Sequence, residues 1–198
     1  MKTYIIHKKE ENFSWEQIPA LDLDTHLWLP RADISAQAKL CYDDQALYVH
    51  LHAAEQHIRA EETGPLGAPC EDSCLEFFFS PMPGDGRYFN IEFNPNGCMF
   101  LGFGSNRYNL VRLLPVQETL NPQIRRTEDG WEVEYSIPAS FIQMFFPEFS
   151  MESSKQIRAN CYKCGNQTVQ KHYFCWNPIE SPKPDYHCPQ YFGTMIFA

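Results

Sequence analysis

No stretch of the 198-residue chain approaches the roughly 18 consecutive apolar residues that a membrane-spanning helix needs. Basic residues are scarce: 16 Lys and Arg stand against 25 Asp and Glu, a net charge of −9. That sign is opposite to the footprint of a phosphate-backbone binder. Membrane and nucleic acid are therefore excluded as expected partners. The first ten residues, Met1 to Glu10, carry no apolar h-region, so no secretory signal is read and a cytoplasmic location is expected. An extracellular one would need export by another route. Internal repeats and low-complexity tracts are also missing.

What the chain does have is core-forming material. Apolar residues make up 43% and aromatics 15%, which is enough to pack a core and argues against disorder. All-β folds of this length often form one unit, and a single domain over 1–198 is the simplest division. The eight cysteines read as thiols, because a chain of this size needs no staples and the expected compartment is reducing.

Alternation with period two is the strongest local signal. Residues 46–53 set Leu47, Val49, Leu51 and Ala53 against Tyr48, His50 and His52. Residues 73–80 place Leu75, Phe77 and Phe79 on one face and Cys74, Glu76 and Phe78 on the other. In 88–94, Phe89, Ile91 and Phe93 oppose Tyr88, Asn90, Glu92 and Asn94. Trp131, Val133, Tyr135 and Ile137 oppose Glu132, Glu134 and Ser136. Residues 156–162 set Ile157, Ala159 and Cys161 against Arg158, Asn160 and Tyr162, and a last strand is expected near 191–197. Pro83-Gly84-Asp85-Gly86, Asn94-Pro95-Asn96-Gly97 and Glu128-Asp129-Gly130 are hairpin turns by composition. Only 138–146 reads as helix, with Pro138 in its first turn. The Leu113-Leu114-Pro115-Val116 and Phe145-Phe146-Pro147 segments read as core or loop anchors, or as a dimer patch. Residues 1–36 form an N-terminal strand-and-loop wrap. Many short strands and one short helix predict an all-β fold, an antiparallel β-sandwich or jelly roll.

Parity carries a chemical consequence. If the Phe89/Ile91/Phe93 side packs inward, Glu76, Asn90, Glu92 and Asn94 emerge together on one outer surface, joined by Asn160 and Tyr162 if their strand is in the same sheet. Carboxylates, amides and phenols suit a polyhydroxylated ligand, since each sugar hydroxyl both donates and accepts. A solvated face of an antiparallel sheet has the same pattern. Trp176, followed by Asn177-Pro178, offers a flat apolar surface with a donor at its edge for the C–H face of a pyranose. An indole also plugs the end of a sandwich.

The blocks Asp72-Ser73-Cys74-Leu75-Glu76-Phe77-Phe78 and Tyr88-Phe89-Asn90-Ile91-Glu92-Phe93-Asn94-Pro95-Asn96-Gly97 recur with a distinctive tail. That tail runs from Arg158-Ala159-Asn160-Cys161-Tyr162-Lys163-Cys164-Gly165 through His172-Tyr173-Phe174-Cys175-Trp176-Asn177-Pro178 to Asp185-Tyr186-His187-Cys188-Pro189. In this order they resemble the family 9 carbohydrate-binding modules, and the free-standing family 9-like proteins most of all. The resemblance implies a β-sandwich that binds a saccharide ligand without hydrolysing it. It makes Trp176 a candidate stacking ring and Glu76, Glu92, Asn94 and Asn160 candidate hydroxyl partners, with Tyr162, Lys163 and His172 as weaker members. Glu92 and Asn94 stand where attached modules tend to carry a basic residue and an amide. Family modules often hold structural calcium, for which only Asp43-Asp44 and Glu71-Asp72 offer acidic loops here, neither spaced as an EF-hand. No other cofactor is implied, and no catalytic residue.

Two other chemistries compete. Glu76 and Glu92 would be the carboxylate pair of a glycoside hydrolase. Cys161, Cys164, His172, Cys175, His187 and Cys188 supply enough donors for a zinc-stabilised domain, although 161 and 164 should face opposite ways on a continuous strand.

Overall fold

The computed structural model describes residues 1–30, 33–114 and 119–198. Fourteen strands and one short helix follow in order: β1 (Thr3–Lys8), β2 (Leu21–Asp22), β3 (Thr25–His26), β4 (Ser35–Tyr42), β5 (Ala46–Ala54), β6 (Cys74–Ser80), β7 (Tyr88–Phe93), β8 (Met99–Asn106) and β9 (Asn109–Leu113). Then come β10 (Gln123–Arg126), β11 (Gly130–Pro138), α1 (Ala139–Gln143), β12 (Gln156–Gly165), β13 (His172–Cys175) and β14 (Gly193–Phe197). The expected all-β sandwich with one short helix is what forms.

One sheet runs β9-β8-β7-β6-β12-β14-β1 and the other β1-β4-β5-β11-β10. β1 belongs to both. Its first half pairs in parallel with β14, and His7 and Lys8 pair in parallel with β4. A strand that changes sheets in this way makes the corner of a sandwich. Every other pairing among the described residues is antiparallel.

The alternating faces do what their parity dictates. Leu75, Phe77, Phe79, Phe89, Ile91 and Phe93 of the first sheet meet Leu47, Val49, Leu51, Trp131, Val133 and Ile137 of the second in one continuous core. Each fully buried side chain of this size contributes roughly 1.5–3 kcal/mol. Phe141, Phe145 and Phe146, in and just after α1, close one end against Phe89. Of the other aromatic-or-apolar anchor, Pro115 and Val116 lie outside the described residues.

The β7–β8 turn shows how local chemistry sets register. Asn94 Oδ1 accepts the N–H groups of Asn96 and Cys98 at 3.0 and 2.8 Å, and Gly97 takes φ +78°, a region that favours glycine.

The opposite face of the first sheet departs from the expected solvated row. Phe78, Tyr88 and Tyr162 lie there in a second apolar cluster with Leu27, Tyr173, Ile179, Tyr186 and Phe192. The long segment between β13 and β14 folds back over the sheet and covers it, except at one cleft.

Candidate functional site: an acidic cleft over the sheet

Three adjacent strands make the floor. Glu76 on β6 lies opposite Glu92 on β7 and opposite Tyr162 on β12, while Cys164 lies opposite Cys74. The cleft holds about 210 Å³ and takes Glu76, Glu92 and Cys164 as its base. This is below the roughly 300–1,000 Å³ usual for drug-sized ligands, a scale suited to one small ring. Its walls come from loops and from β13: Trp28 after β3, Arg107 in the β8–β9 hairpin, Tyr173 on β13, and the run Asp185, Tyr186 and His187.

Aromatic contacts fix the walls. Tyr186 stacks on Tyr162 at 4.1 Å with planes 10° apart. Trp28 stands 5.7 Å from the Tyr186 ring and edge-on to Tyr173 at 5.5 Å. The Trp28 indole N–H donates to the carbonyl of Ser181 at 2.7 Å, so the ring is oriented rather than loose. Its backbone sits at φ +59°, a costly setting for a bulky side chain and one that concentrates at functional sites. Arg107 Nε donates to Asp185 Oδ1 at 3.0 Å, and that oxygen also accepts the His187 N–H. Tyr88 Oη and His187 Nδ1 lie 2.8 Å apart.

The floor is electrostatically unusual. Burial pushes Glu76 up to about 7, against the pull of the Cys164 hydrogen bond and of Arg107. Burial, and then the charge of Glu76, push Glu92 well above the ordinary carboxylate range. Asn90 Nδ2 donates to Glu92 Oε1 at 2.8 Å, and the Cys164 thiol donates to Glu76 Oε1 at 3.0 Å. Burial therefore favours the protonated form of both carboxyl groups, in which each donates as well as accepts. Burial and Arg107 hold His187 down to about 4, so its ring is neutral.

Of the residues expected from sequence, the structure brings Glu76 and Glu92 to the cleft and places the other six elsewhere. The exposed platform expected at Trp176 is corrected: the ring is 4% exposed and packs in the core. It lies so close to Gly193 that a Cβ there would come within 2.4 Å of it. Its backbone N–H, just past β13, donates to Cys161, which aims the indole inward as a plug. Asn94 closes its own turn and donates to Asp72 and to the Glu62 carbonyl. Asn160 bonds the backbone of Asn177 through both its amide groups. Tyr162 is fully buried and supports Tyr186 from behind.

Lys163 points to the other face of β12, because 163 is odd in a strand whose even residues 162 and 164 lie on the cleft side of the sheet, and His172 of β13 meets it there. Lys163 Nζ lies 3.1 Å from Glu55 and 2.8 Å from His172 Nε2. Burial and Lys163 together hold His172 down to about 4.

The tail donors expected for zinc do not converge either. β12 runs unbroken to Gly165, so Cys161 enters the core while Cys164 faces the cleft. All eight cysteines are free thiols. The carboxylates of the acidic loops considered for calcium have partners within the protein: Asp43 caps its own turn and accepts from Tyr48, Asp44 pairs with Lys8, and Asp72 takes the N–H groups of Glu61 and Glu62. No helix among the described residues is long and apolar enough to cross a membrane.

The family model described as carbohydrate-binding family 9 matches residues 5–197. The chain belongs to carbohydrate-binding family 9. A family 9 carbohydrate-binding module from Caldicellulosiruptor kristjanssonii, solved with cellotriose, superposes with a TM-score of 0.70 at 12% identity over 99% of this chain and 93% of its own. The same module with glucose gives 0.70 and 12% over 100% and 96%. At that identity the likeness is one of fold. A Bacteroides uniformis protein provisionally described as carbohydrate-binding superposes at 0.85 with 25% identity, over 100% of this chain and 99% of its own. No curated protein matches the sequence.

Within this family 9 chain, sequence reasoning missed Trp28, Arg107, Tyr173 and Tyr186 as wall residues. Asp185, Tyr186 and His187 stood inside a recognised block, so their neighbourhood was visible though their role was not. Trp28 and Arg107 sit in loops without periodicity, and no sequence signal separates them from other loop residues.

Proposed function

We propose that the protein binds a saccharide, without cleaving it, in the cleft between Trp28 and the Glu76/Glu92 floor. The observation that carries this reading is the oriented Trp28 indole standing at the rim of a small cleft whose base is a pair of neighbouring buried carboxyl groups. An indole face covers the C–H side of a pyranose, and groups that both donate and accept satisfy its hydroxyls. Arg107, Asp185 and His187 add further polar groups at the mouth. Family membership supports the same assignment, and the related module's complexes with cellotriose and glucose name the first ligands to try.

Hydrolysis is disfavoured by the same floor. A glycosidase sets its acid and its nucleophile or base on either side of the scissile bond, with pKa values driven apart. Here both carboxylates rise side by side from neighbouring strands, and both are pushed upward.

Calorimetric titration with glucose, xylose and cello-oligosaccharides is the test. Saturable binding that disappears in Trp28→Ala is expected, and no new reducing ends should form on long incubation. Absence of heat with any glycan of a broad panel would refute the proposal.

A further inference from the structure

Two thiols and a carboxylate meet at the back of the cleft in a way that saccharide binding does not use. Cys74 Sγ, Cys164 Sγ and one Glu76 oxygen lie within 4.8 Å of one another, with Cys164 Sγ 3.0 Å from Glu76 Oε1. Register explains the cluster: Cys74 and Cys164 are direct cross-strand partners on β6 and β12, and Glu76 is two residues along β6 on the same face. Cys70 and Glu92 line the same cleft.

We propose that Cys74, Cys164 and Glu76 form a binding site for a thiophilic divalent cation of the zinc class. Two sulfurs and an oxygen are a soft donor set that suits zinc and disfavours calcium or magnesium. A tetrahedral site with zinc–sulfur bonds near 2.3 Å has edges of about 3.8 Å, so the donors need to close by no more than roughly 1 Å. Glu76 and Cys164 are reached from the cleft, which gives the ion a path in and leaves its fourth position to a group on the cleft side.

Charge favours the same conclusion. Lys163 is spent on Glu55 and Arg107 on Asp185, and no described cation is paired with Glu76 or Glu92. An entering cation balances the carboxylate charge that burial otherwise disfavours. Each thiol yields its proton to solvent as it coordinates, so affinity rises with pH. The other described cluster of donors, His50 with Glu132 and Glu134, is already occupied: Arg125 bonds both carboxylates.

The experiment is a titration of the metal-free protein with Co²⁺ alone, followed by absorbance. Expected are a thiolate-to-cobalt band in the near ultraviolet and tetrahedral bands in the visible, saturating at one equivalent and erased by added Zn²⁺. Cys164→Ser and Glu76→Gln should each weaken binding at least ~100-fold. Cys74→Ser should do the same if circular dichroism shows it folded, and the other two variants carry the test if it is not. Cobalt binding without a thiolate band, no binding at all, or a band that survives Cys164→Ser would overturn the site. Sugar titration of the same metal-free protein is a separate measurement, so the two proposals stand or fall apart.

Discussion

Glu76 and Glu92 face each other across the β6–β7 ladder, two buried carboxylates with no described cation between them. Burial disfavours charge on both and leaves polar groups away from water, so the pair is retained at a cost that packing alone does not explain. Replacing Glu92 with Gln keeps the shape and removes the titratable carboxyl group. Glucose or cellotriose binding by the metal-free protein should weaken about tenfold, the upper end of the roughly 0.5–1.5 kcal/mol that one hydrogen bond contributes. Unchanged affinity in both Glu92→Gln and Glu76→Gln would move the ligand off this floor.

The two tryptophans named by fold and by family resemblance should separate cleanly. Trp28→Ala removes a half-buried wall and should abolish detectable sugar binding while the melting transition remains cooperative. Trp176→Ala opens a cavity in the core, where such truncations cost about 3–5 kcal/mol. Its midpoint in urea should fall sharply, and any folded fraction should still bind. The reverse pattern would restore Trp176 as the platform.

This contrast shows how far the sequence could be read. Period-two alternation located β5, β6, β7, β11 and β12, and its inward parity was right for Phe77, Phe89 and Val133, because core burial is a local demand on each strand. The same parity located Glu76 and Glu92. The resemblance, not parity, put Lys163 in the site: it lies on the inward parity of its strand, among Glu55 just after β5 and His172 of β13, partners that only the folded chain brings near. Parity failed for the outer face as a whole, since nothing local says that residues from 176 onward fold back over Phe78 and Tyr88. Loop residues such as Trp28 and Arg107 enter the cleft through tertiary geometry, which has no period to detect.

Lys163 gives a sharper check of which side of β12 matters. Its ammonium is buried with Glu55, whose oxygens also accept from Trp131 Nε1 at 2.8 Å and Ser73 Oγ at 3.1 Å. Lys163→Met leaves that carboxylate without its cation, a change that costs about 3–5 kcal/mol in buried pairs. The double variant Lys163→Met/Glu55→Gln should recover much of the loss, a coupling readable by a denaturation cycle. Sugar affinity of the folded double variant should match the parent. A specific loss of binding there would place Lys163 in the site after all.

Acid should loosen the cleft mouth through His187. Burial and Arg107 hold its folded pKa near 4, below the ordinary 6.5, with Asp185 pulling the other way. The unfolded chain therefore takes up the proton first as pH falls. The contribution to stability is fully present above pH 6.5 and is lost between 6.5 and 4, reaching about 2–3 kcal/mol by pH 4.5. The raised carboxylates of Glu76 and Glu92 act in the opposite direction, but they are common to the parent and to a His187 variant. The difference between the two proteins thus isolates the imidazole. Urea unfolding of the parent and of His187→Gln at pH 7.5 and 4.5 should show the parent losing more stability on acidification, by roughly that amount. Protonation also removes Nδ1 as an acceptor for Tyr88, so the Tyr88→Phe variant should shift the acid limb less than His187→Gln does. Parallel acid limbs in the parent and His187→Gln would show that the ring is not held neutral by the fold.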